Sequence, residues 1–234
     1  MNDSPEKPRA NRFPASLRWT LVFVVVMVAL IVAIWPRGNG DSDSGTSSAG
    51  VTATGPNSMD ATVDDAQLAI ARREAALPAC PTSSAAVGAH AVLAKVHAPC
   101  LADGSTVDLG AATASKPLVV NMWAVWCLPC RQELPQVAAY AQRAGGAVDV
   151  LAVHAQEGAQ NPYLVLQFLS ENGVRLPTVL DTDGQVAAAL GAPRVFPSTI
   201  LVRPDGTVAK VLPEVFDSPD AIAAAVHEYL GVTT

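Results

Sequence analysis

Two cysteines separated by two residues are the part of this sequence best suited to chemistry. They lie in Trp126-Cys127-Leu128-Pro129-Cys130, where an apolar run meets a stretch with helical character. This spacing lets the two sulfur atoms meet across one helical turn. Free backbone N–H groups and the dipole at a helix N-terminus favour an anion, and the thiolate is the reactive form of cysteine. We therefore predict that Cys127 is an exposed nucleophile and that Cys130 is the resolving thiol.

Other uses of a Cys-x-x-Cys pair fit this sequence less well. A zinc ribbon needs two such pairs, and the chain has one. A c-type haem site needs a histidine after the second cysteine, where this chain has Arg131. A purely structural disulfide across so small a loop would add little stability. Thiol–disulfide exchange is therefore the favoured interpretation, and we expect neither a metal nor an organic cofactor.

The segments around this pair predict an α/β domain with a mixed sheet. A continuous apolar run over 118–124 predicts a buried central strand, followed by a helix over 128–144 and a second buried strand over 148–154. Val92–His97 and Thr106–Leu109 flank a turn sequence and predict a hairpin before the central strand. The remaining predicted elements are helices over 60–77, 163–172, 185–190 and 219–230, and strands over 177–180, 198–202 and 208–211.

The first 59 residues differ in composition from the rest of the chain. Residues 19–35 carry no charge and would span roughly 26 Å as a helix, close to the thickness of a bilayer core. A cleaved signal peptide is the alternative, but it would have a shorter apolar run and a small-residue cleavage site. We expect a cytoplasmic tail over 1–18, an uncleaved transmembrane anchor over 19–35 and a flexible linker over 36–59. All four cysteines then lie in an extracytoplasmic, oxidising compartment.

The charge of the chain argues against one class of partner. The sequence has 15 Lys and Arg residues and 21 Asp and Glu residues, for a net charge of -6. Nucleic-acid binding requires clustered positive charge, and only residues 1–36 are net positive here. We therefore expect no nucleic-acid partner, contact with the lipid bilayer through the N-terminal helix, and a monomer.

Cys80 and Cys100 form a second candidate pair, 20 residues apart. In an oxidising compartment we predict that they form a structural disulfide, which would tie a helical extension over 60–87 to the domain. A second redox pair that relays electrons is one alternative. A zinc site with His90 and His97 is another, although its spacing matches no standard zinc motif.

The segment Asn-Met-Trp-Ala-Val-Trp-Cys-Leu-Pro-Cys-Arg-Gln-Glu-Leu-Pro, residues 121–135, resembles a known active site. It is similar to that of membrane-anchored thioredoxin-like disulfide reductases of the TlpA/ResA, cytochrome c maturation type. The likeness covers 88–234 and includes a later Pro197-Ser198-Thr199 before a strand. It implies a thioredoxin fold with an extra N-terminal β-hairpin. It also implies that Pro197 is a cis-proline that faces the cysteines.

The resemblance and the spacing together indicate further site residues. Glu133 lies three residues after Cys130, so both share one helix face, and in the family an acid at this position lies beside the cysteines. A carboxylate there can raise a thiol pKa or exchange a proton with Cys130. The alternative is a surface glutamate paired with a base. The predicted client-contact residues are Trp126, Leu128, Pro129 and Phe196.

These predictions combine into one function. We expect an extracytoplasmic thiol–disulfide oxidoreductase that reduces disulfides in oxidised client proteins. The resemblance implies apocytochrome c as a client and an integral membrane thiol protein as the electron donor. Two alternatives stay open: an oxidase that introduces disulfides into secreted proteins, and a client-binding chaperone whose cysteines are secondary. The carboxylate of Glu133 favours the reductase, because it opposes the thiolate on which a strong oxidant relies.

Overall fold

The chain divides into two compact units, residues 1–51 and 52–234. In the first unit, residues 24–29 are helical and their side chains are exposed. The computed structural model of the protein describes residues 24–29, 58–59, 61–83 and 85–234.

Most of the elements predicted for the N-terminal part lie outside the described residues. This applies to the whole cytoplasmic tail over 1–18, to all but residues 24–29 of the anchor over 19–35, and to nearly all of the linker over 36–59. Among the residues that the structure describes, no helix is long and apolar enough to cross a membrane.

After an N-terminal helix and a hairpin, strands and helices alternate in the second unit until the last two strands, which follow each other directly. In chain order the elements are α1 (Asp65–Ala75), β1 (His97–Pro99), β2 (Thr106–Asp108), α2 (Leu109–Ala112), β3 (Leu118–Trp123), α3 (Leu128–Ala144), β4 (Asp149–His154), α4 (Pro162–Glu171), β5 (Thr178–Leu180), α5 (Gln185–Leu190), β6 (Ser198–Val202), β7 (Val208–Leu212) and α6 (Pro219–Leu230). Strands β1 and β2 form an antiparallel pair, and the other five form one sheet in the order β5-β4-β3-β6-β7. The predicted α/β class with a central mixed sheet is confirmed.

Strand β3 is the centre of this sheet. It pairs in parallel with β4 and antiparallel with β6, and all six of its residues are buried. A strand that is covered on both faces has no need for polar alternation, which explains the continuous apolar run in the sequence. Trp123 pairs with His154 at the last position of the ladder, so β3 and β4 end together at the edge where α3 begins.

Each face of the sheet has its own core. On one face, α1, α3, α4 and α6 cover Val119 and Trp123 of β3. On the other, α2, α5 and the hairpin cover Val120 and Met122. Successive residues of β3 thus alternate between the two cores, as the pleat of a strand requires. This alternation fixes which side chains of β3 point toward α3.

From β3 onward the predicted elements match the observed ones to within one residue at each end. The errors lie earlier in the chain. The strand predicted over Val92–His97 begins only at His97: residues 92–95 form turns, and Lys95 has a left-handed φ of 66°. Residue Leu109, predicted as the end of a strand, instead begins the short helix α2, which Asp108 caps by accepting the N–H of Ala111 at 3.2 Å.

The helix predicted over 60–77 is shorter than expected. Asp64 is its N-cap, and the Asp64 carboxylate accepts the backbone N–H of Gln67 at 2.9 Å. Ala76 ends the helix in a left-handed conformation with φ 44°. The side chain of Arg72 attaches α1 to the hairpin, because its Nε donates to the carbonyl of Leu101 at 3.3 Å.

A disulfide joins Cys80 to Cys100, as the sequence predicts, and both residues are buried. Cys100 forms an isolated antiparallel bridge with Val179 in β5, and the N–H of Leu101 donates to the carbonyl of Thr178 at 2.9 Å. The disulfide therefore fixes the segment after α1 against the hairpin and the outer strand of the sheet.

The disulfide also argues against the alternative of a zinc site at Cys80 and Cys100. A zinc site would need Cys80 and Cys100 as free thiolates, and both sulfur atoms are bonded to each other. Within the described ranges, no group of three or more His, Cys, Asp or Glu side chains is placed to hold a metal ion.

Replacing both cysteines, Cys80→Ala with Cys100→Ala, should lower the free energy of unfolding by about 3 kcal/mol, because the unfolded chain loses a cross-link that closes a loop of this length. Urea denaturation in a buffer that contains neither an oxidant nor a thiol reductant measures this loss. The control pair Cys127→Ser with Cys130→Ser opens a much smaller loop and should lose less stability. No loss in the Cys80 and Cys100 variant would contradict a structural role for this disulfide.

Candidate active site

Cys127 and Cys130 are joined by a disulfide at the N-terminus of α3. Cys127 is the N-cap of this helix, and its Sγ accepts the backbone N–H of Cys130 at 3.1 Å. Pro129 lies in the first turn, where the helix loses no hydrogen bond through the missing N–H. The sulfur of Cys127 thus occupies the position where the helix dipole and the free N–H groups stabilise a negative charge.

The predicted exposure of Cys127 is wrong for this disulfide form. Cys127 is only 4% exposed, because its sulfur is turned toward the helix N-terminus and bonded to Cys130. Cys130 is completely buried, so Cys127 is still the more accessible of the two. The neighbouring side chains are the ones that reach solvent, since Trp126 is 52% and Leu128 71% exposed.

The loop before β6 forms the second side of the site. The Phe196–Pro197 peptide bond is cis, as the resemblance implies. The ring of Phe196 packs edge-to-face against Trp126, with 5.7 Å between ring centroids. This contact brings the loop that carries Pro197 next to the segment that carries Cys127. The hydroxyl of Ser198 donates to the carbonyl of Val195 at 2.6 Å and closes the turn.

A cleft of about 410 Å³ opens beside these two aromatic rings. Met122 from β3 contributes to its lining, and the polar side chains around it include Glu157, Asp183 and Arg194. The predicted client-contact residues Leu128 and Pro129 are exposed at the start of α3. Exposed apolar side chains beside an open cleft can hold an extended segment of another protein against the dithiol.

Glu133 lies one turn after Cys130 and is completely buried. Its Oε1 accepts the backbone N–H of Phe216 at 2.9 Å, and its Oε2 accepts Nδ2 of Asn121 at 2.8 Å. Burial raises the pKa of this carboxyl above its ordinary value, and the two hydrogen bonds oppose that rise only in part. The alternative of a surface glutamate paired with a base is therefore wrong.

Asn121 is a site residue that the sequence analysis did not single out. It is buried in the middle of β3, and its Nδ2 also lies 3.3 Å from Oγ1 of Thr199. Its Oδ1 is buried and has no hydrogen-bond partner among the described residues. An asparagine inside an otherwise apolar strand was the available signal, because a buried amide is stable only where it is hydrogen-bonded.

A sequence model of the family described as Redoxin matches residues 80–226. The chain belongs to the redoxin family. This redoxin is 32% identical over 118 residues to the thiol-disulfide oxidoreductase ResA of Bacillus subtilis (strain 168), covering 50% of this chain and 61% of that protein. It is 33% identical over 99 residues to the thiol:disulfide interchange protein CycY of Rhizobium leguminosarum bv. viciae, covering 42% and 50%. The matched part of this chain thus spans only about half to three fifths of the length of each relative. The resemblance to a thioredoxin-like protein of the ResA type is confirmed.

Solved structures agree with this assignment of the redoxin. The structure of MTB dsbF in its mixed oxidized and reduced forms matches with a TM-score of 0.50 and 27% identity, over 59% of this chain and 97% of that one. A thiol:disulfide interchange protein from Chlorobium tepidum TLS, described as a thioredoxin family protein, matches with a TM-score of 0.50 and 19% identity, over 66% and 99%. The second likeness shows the fold alone. Together they confirm the thioredoxin-like fold.

Substitution of the buried carboxyl, Glu133→Gln, should change how stability depends on pH. The raised pKa means that the folded protein holds the Glu133 proton more tightly than the unfolded chain does. The stabilisation from this carboxyl is therefore complete below its unfolded pKa of 4.5 and is lost as the pH rises through its folded pKa. The free energy of unfolding of the wild type, minus that of the variant, should be constant below the unfolded pKa and should fall as the pH rises from there through the raised folded pKa.

The comparison uses urea denaturation of the disulfide form, in which Cys127 and Cys130 do not titrate. Glutamine is a suitable replacement because its oxygen can still accept the N–H of Phe216. Its new amide N–H can donate to Oδ1 of Asn121, which has no partner among the described residues, once the amide group of Asn121 turns by 180°. A difference that stays constant with pH would contradict the raised pKa.

Proposed function

We propose that this protein is a membrane-tethered, extracytoplasmic thiol–disulfide oxidoreductase that reduces disulfides in client proteins. One observation carries the proposal: the sulfur of Cys127 caps α3, bonded to Cys130, and the carboxyl of Glu133 is buried one turn further on. Membership of the redoxin family and the thiol–disulfide chemistry for which the relatives ResA and CycY are named support the same chemistry.

The reaction has two exchange steps. In the reduced protein the Cys127 thiolate attacks one sulfur of the client disulfide, which forms a mixed disulfide and releases the first client thiolate. Cys130 then loses its proton and attacks the sulfur of Cys127, which releases the second client thiolate. The client gains two electrons and leaves as two thiolates, which take their protons from solvent; the Cys130 proton stays on the protein, and the protein is left with the Cys127–Cys130 disulfide. A thiol donor must then restore the dithiol.

Glu133 has two roles in this scheme. Its raised pKa suits it to accept the proton that Cys130 loses in the second step and to return it when the pair is reduced. When ionised, it also disfavours a second negative charge nearby, which destabilises the thiolate form of the dithiol. A dithiol destabilised in this way gives up its electrons more readily, and this favours the reductase over the oxidase.

The sequence and the second disulfide support a location and partners for this reaction. The net-positive tail and the apolar run over 19–35 support an anchor with the dithiol outside the cytoplasm. The Cys80–Cys100 disulfide supports an oxidising compartment, where such bonds persist. A soluble reductant is scarce in such a compartment, so the donor is a thiol protein of the membrane. The resemblance to the cytochrome c maturation type supports apocytochrome c as the client.

The reduction potential of the Cys127–Cys130 pair tests the direction of transfer. We expect a value near that of thioredoxin, about -270 mV, when the protein is equilibrated with redox buffers and its free thiols are labelled. The variant Cys127→Ser with Cys130→Ser shows whether Cys80–Cys100 contributes to the titration. A value near about -120 mV would identify an oxidant and overturn the reductase proposal.

Trapping of the mixed disulfide tests the order of attack. Cys130→Ser should accumulate a disulfide between Cys127 and an oxidised apocytochrome c, visible on a non-reducing gel, because the resolving thiol is absent. Cys127→Ser should trap nothing, because the buried Cys130 cannot reach the client. Client binding that survives in Cys127→Ser with Cys130→Ser, together with no reduction by the wild type, would support the chaperone instead.

A further inference from the structure

His154, the last residue of β4, connects two backbone groups at the end of the sheet. It is completely buried, and its Nε2 accepts the N–H of Val125 at 3.1 Å. Its Nδ1 lies 2.8 Å from the carbonyl oxygen of Ala155. An imidazole that accepts a hydrogen bond at Nε2 and is neutral carries its proton on Nδ1, so Nδ1 donates to Ala155.

The imidazole replaces one backbone hydrogen bond of the parallel pairing between β3 and β4. Trp123 pairs with His154, and the N–H of Ala155 donates to the carbonyl of Trp123 at 2.8 Å. If β3 and β4 continued, their next backbone hydrogen bond would join the N–H of Val125 to the carbonyl of Ala155. The ring bonds to both of these groups through its two nitrogens. The chain can therefore leave the sheet at this point with neither backbone group unpaired.

The segment held by this ring leads directly into the dithiol. Val125 lies two residues before Cys127, and the N–H of Cys127 donates to the carbonyl of Ala124 at 3.0 Å. The turn over 124–127 is thus fixed at its start by His154 and at its end by the capping sulfur of Cys127.

The ring itself has little freedom. Trp123 packs against it edge-to-face, with 4.9 Å between ring centroids. The loop after β4 turns at Gly158 with φ +94°, where a Cβ atom would lie 3.3 Å from Cε1 of His154. Burial lowers the pKa of His154 to about 4, so the ring is neutral at ordinary pH and Nε2 is free to accept.

We propose that His154 is a positioning residue for the dithiol: its neutral imidazole fixes Val125 and thereby holds the sulfur of Cys127 at the N-terminus of α3. The helix stabilises the Cys127 thiolate only when the sulfur keeps that position. The inference rests on the dithiol chemistry proposed above, and it adds a residue that touches neither cysteine in the described contacts.

Two substitutions separate the roles of the ring. His154→Leu removes both the acceptor and the donor, and leaves the N–H of Val125 and the carbonyl of Ala155 without the imidazole. His154→Gln keeps an oxygen that can accept from Val125, but one amide group cannot fill both positions of the ring. The effect should therefore be largest in the leucine variant and intermediate in the glutamine variant. His227→Leu, which replaces an exposed histidine on α6, is the matched control.

The experiment measures two properties of the full-length protein. The pKa of the Cys127 thiol is obtained from the ultraviolet absorbance of the thiolate, and the dithiol–disulfide equilibrium is measured against glutathione. In His154→Leu we expect the thiol pKa to rise by about one unit and the equilibrium constant to shift about tenfold toward the disulfide. His227→Leu should change neither value.

A separate measurement of folding keeps the outcomes distinct. If urea denaturation shows a folded but less stable His154→Leu with both values unchanged, the role is structural and the inference fails. If that variant does not fold, an intermediate shift in folded His154→Gln supports the inference and an unchanged value overturns it. A wild type without a reversible Cys127–Cys130 couple would instead overturn the proposed function itself.

Discussion

The register of β3 between β4 and β6 determines where the chain leaves the sheet and enters α3. A slip of one residue would move Asn121 and Trp123 from one core to the other and bury Val120 on the wrong face. Because both faces of β3 are covered, that slip is strongly disfavoured. The position of Cys127 is therefore set by burial of a strand whose own side chains form and break no bonds in the exchange steps.

A few buried polar groups then give the site its chemical character. The region between α3 and the sheet is apolar, so each polar group there has a large effect on its neighbours. The carboxyl of Glu133 keeps two donors, one from the sheet and one from the loop before α6. Its proton affinity therefore depends on the packing of three elements rather than on α3 alone.

Much of this could be predicted from the sequence. The apolar runs from 118 onward, with turn residues between them, predict the strands and helices, and the Cys-x-x-Cys spacing predicts the dithiol. Helical periodicity places Glu133 on the face of Cys130, but its burial depends on the long-range contact with Phe216. Asn121 was not singled out, and the contact that His154 makes was not predicted, for the same reason, since the N–H that His154 binds is 29 residues earlier in the chain. The turns over 92–95 are apolar enough to resemble a strand.

The bridge between Cys100 and Val179 has a consequence for solubility. Strand β5 ends one side of the sheet, and an open strand edge is a template for pairing with another chain. Here Cys100, which follows the hairpin strand β1, occupies part of that edge. Its disulfide to Cys80 keeps this segment from separating from β5. The cross-link therefore disfavours association between partly opened copies of the protein.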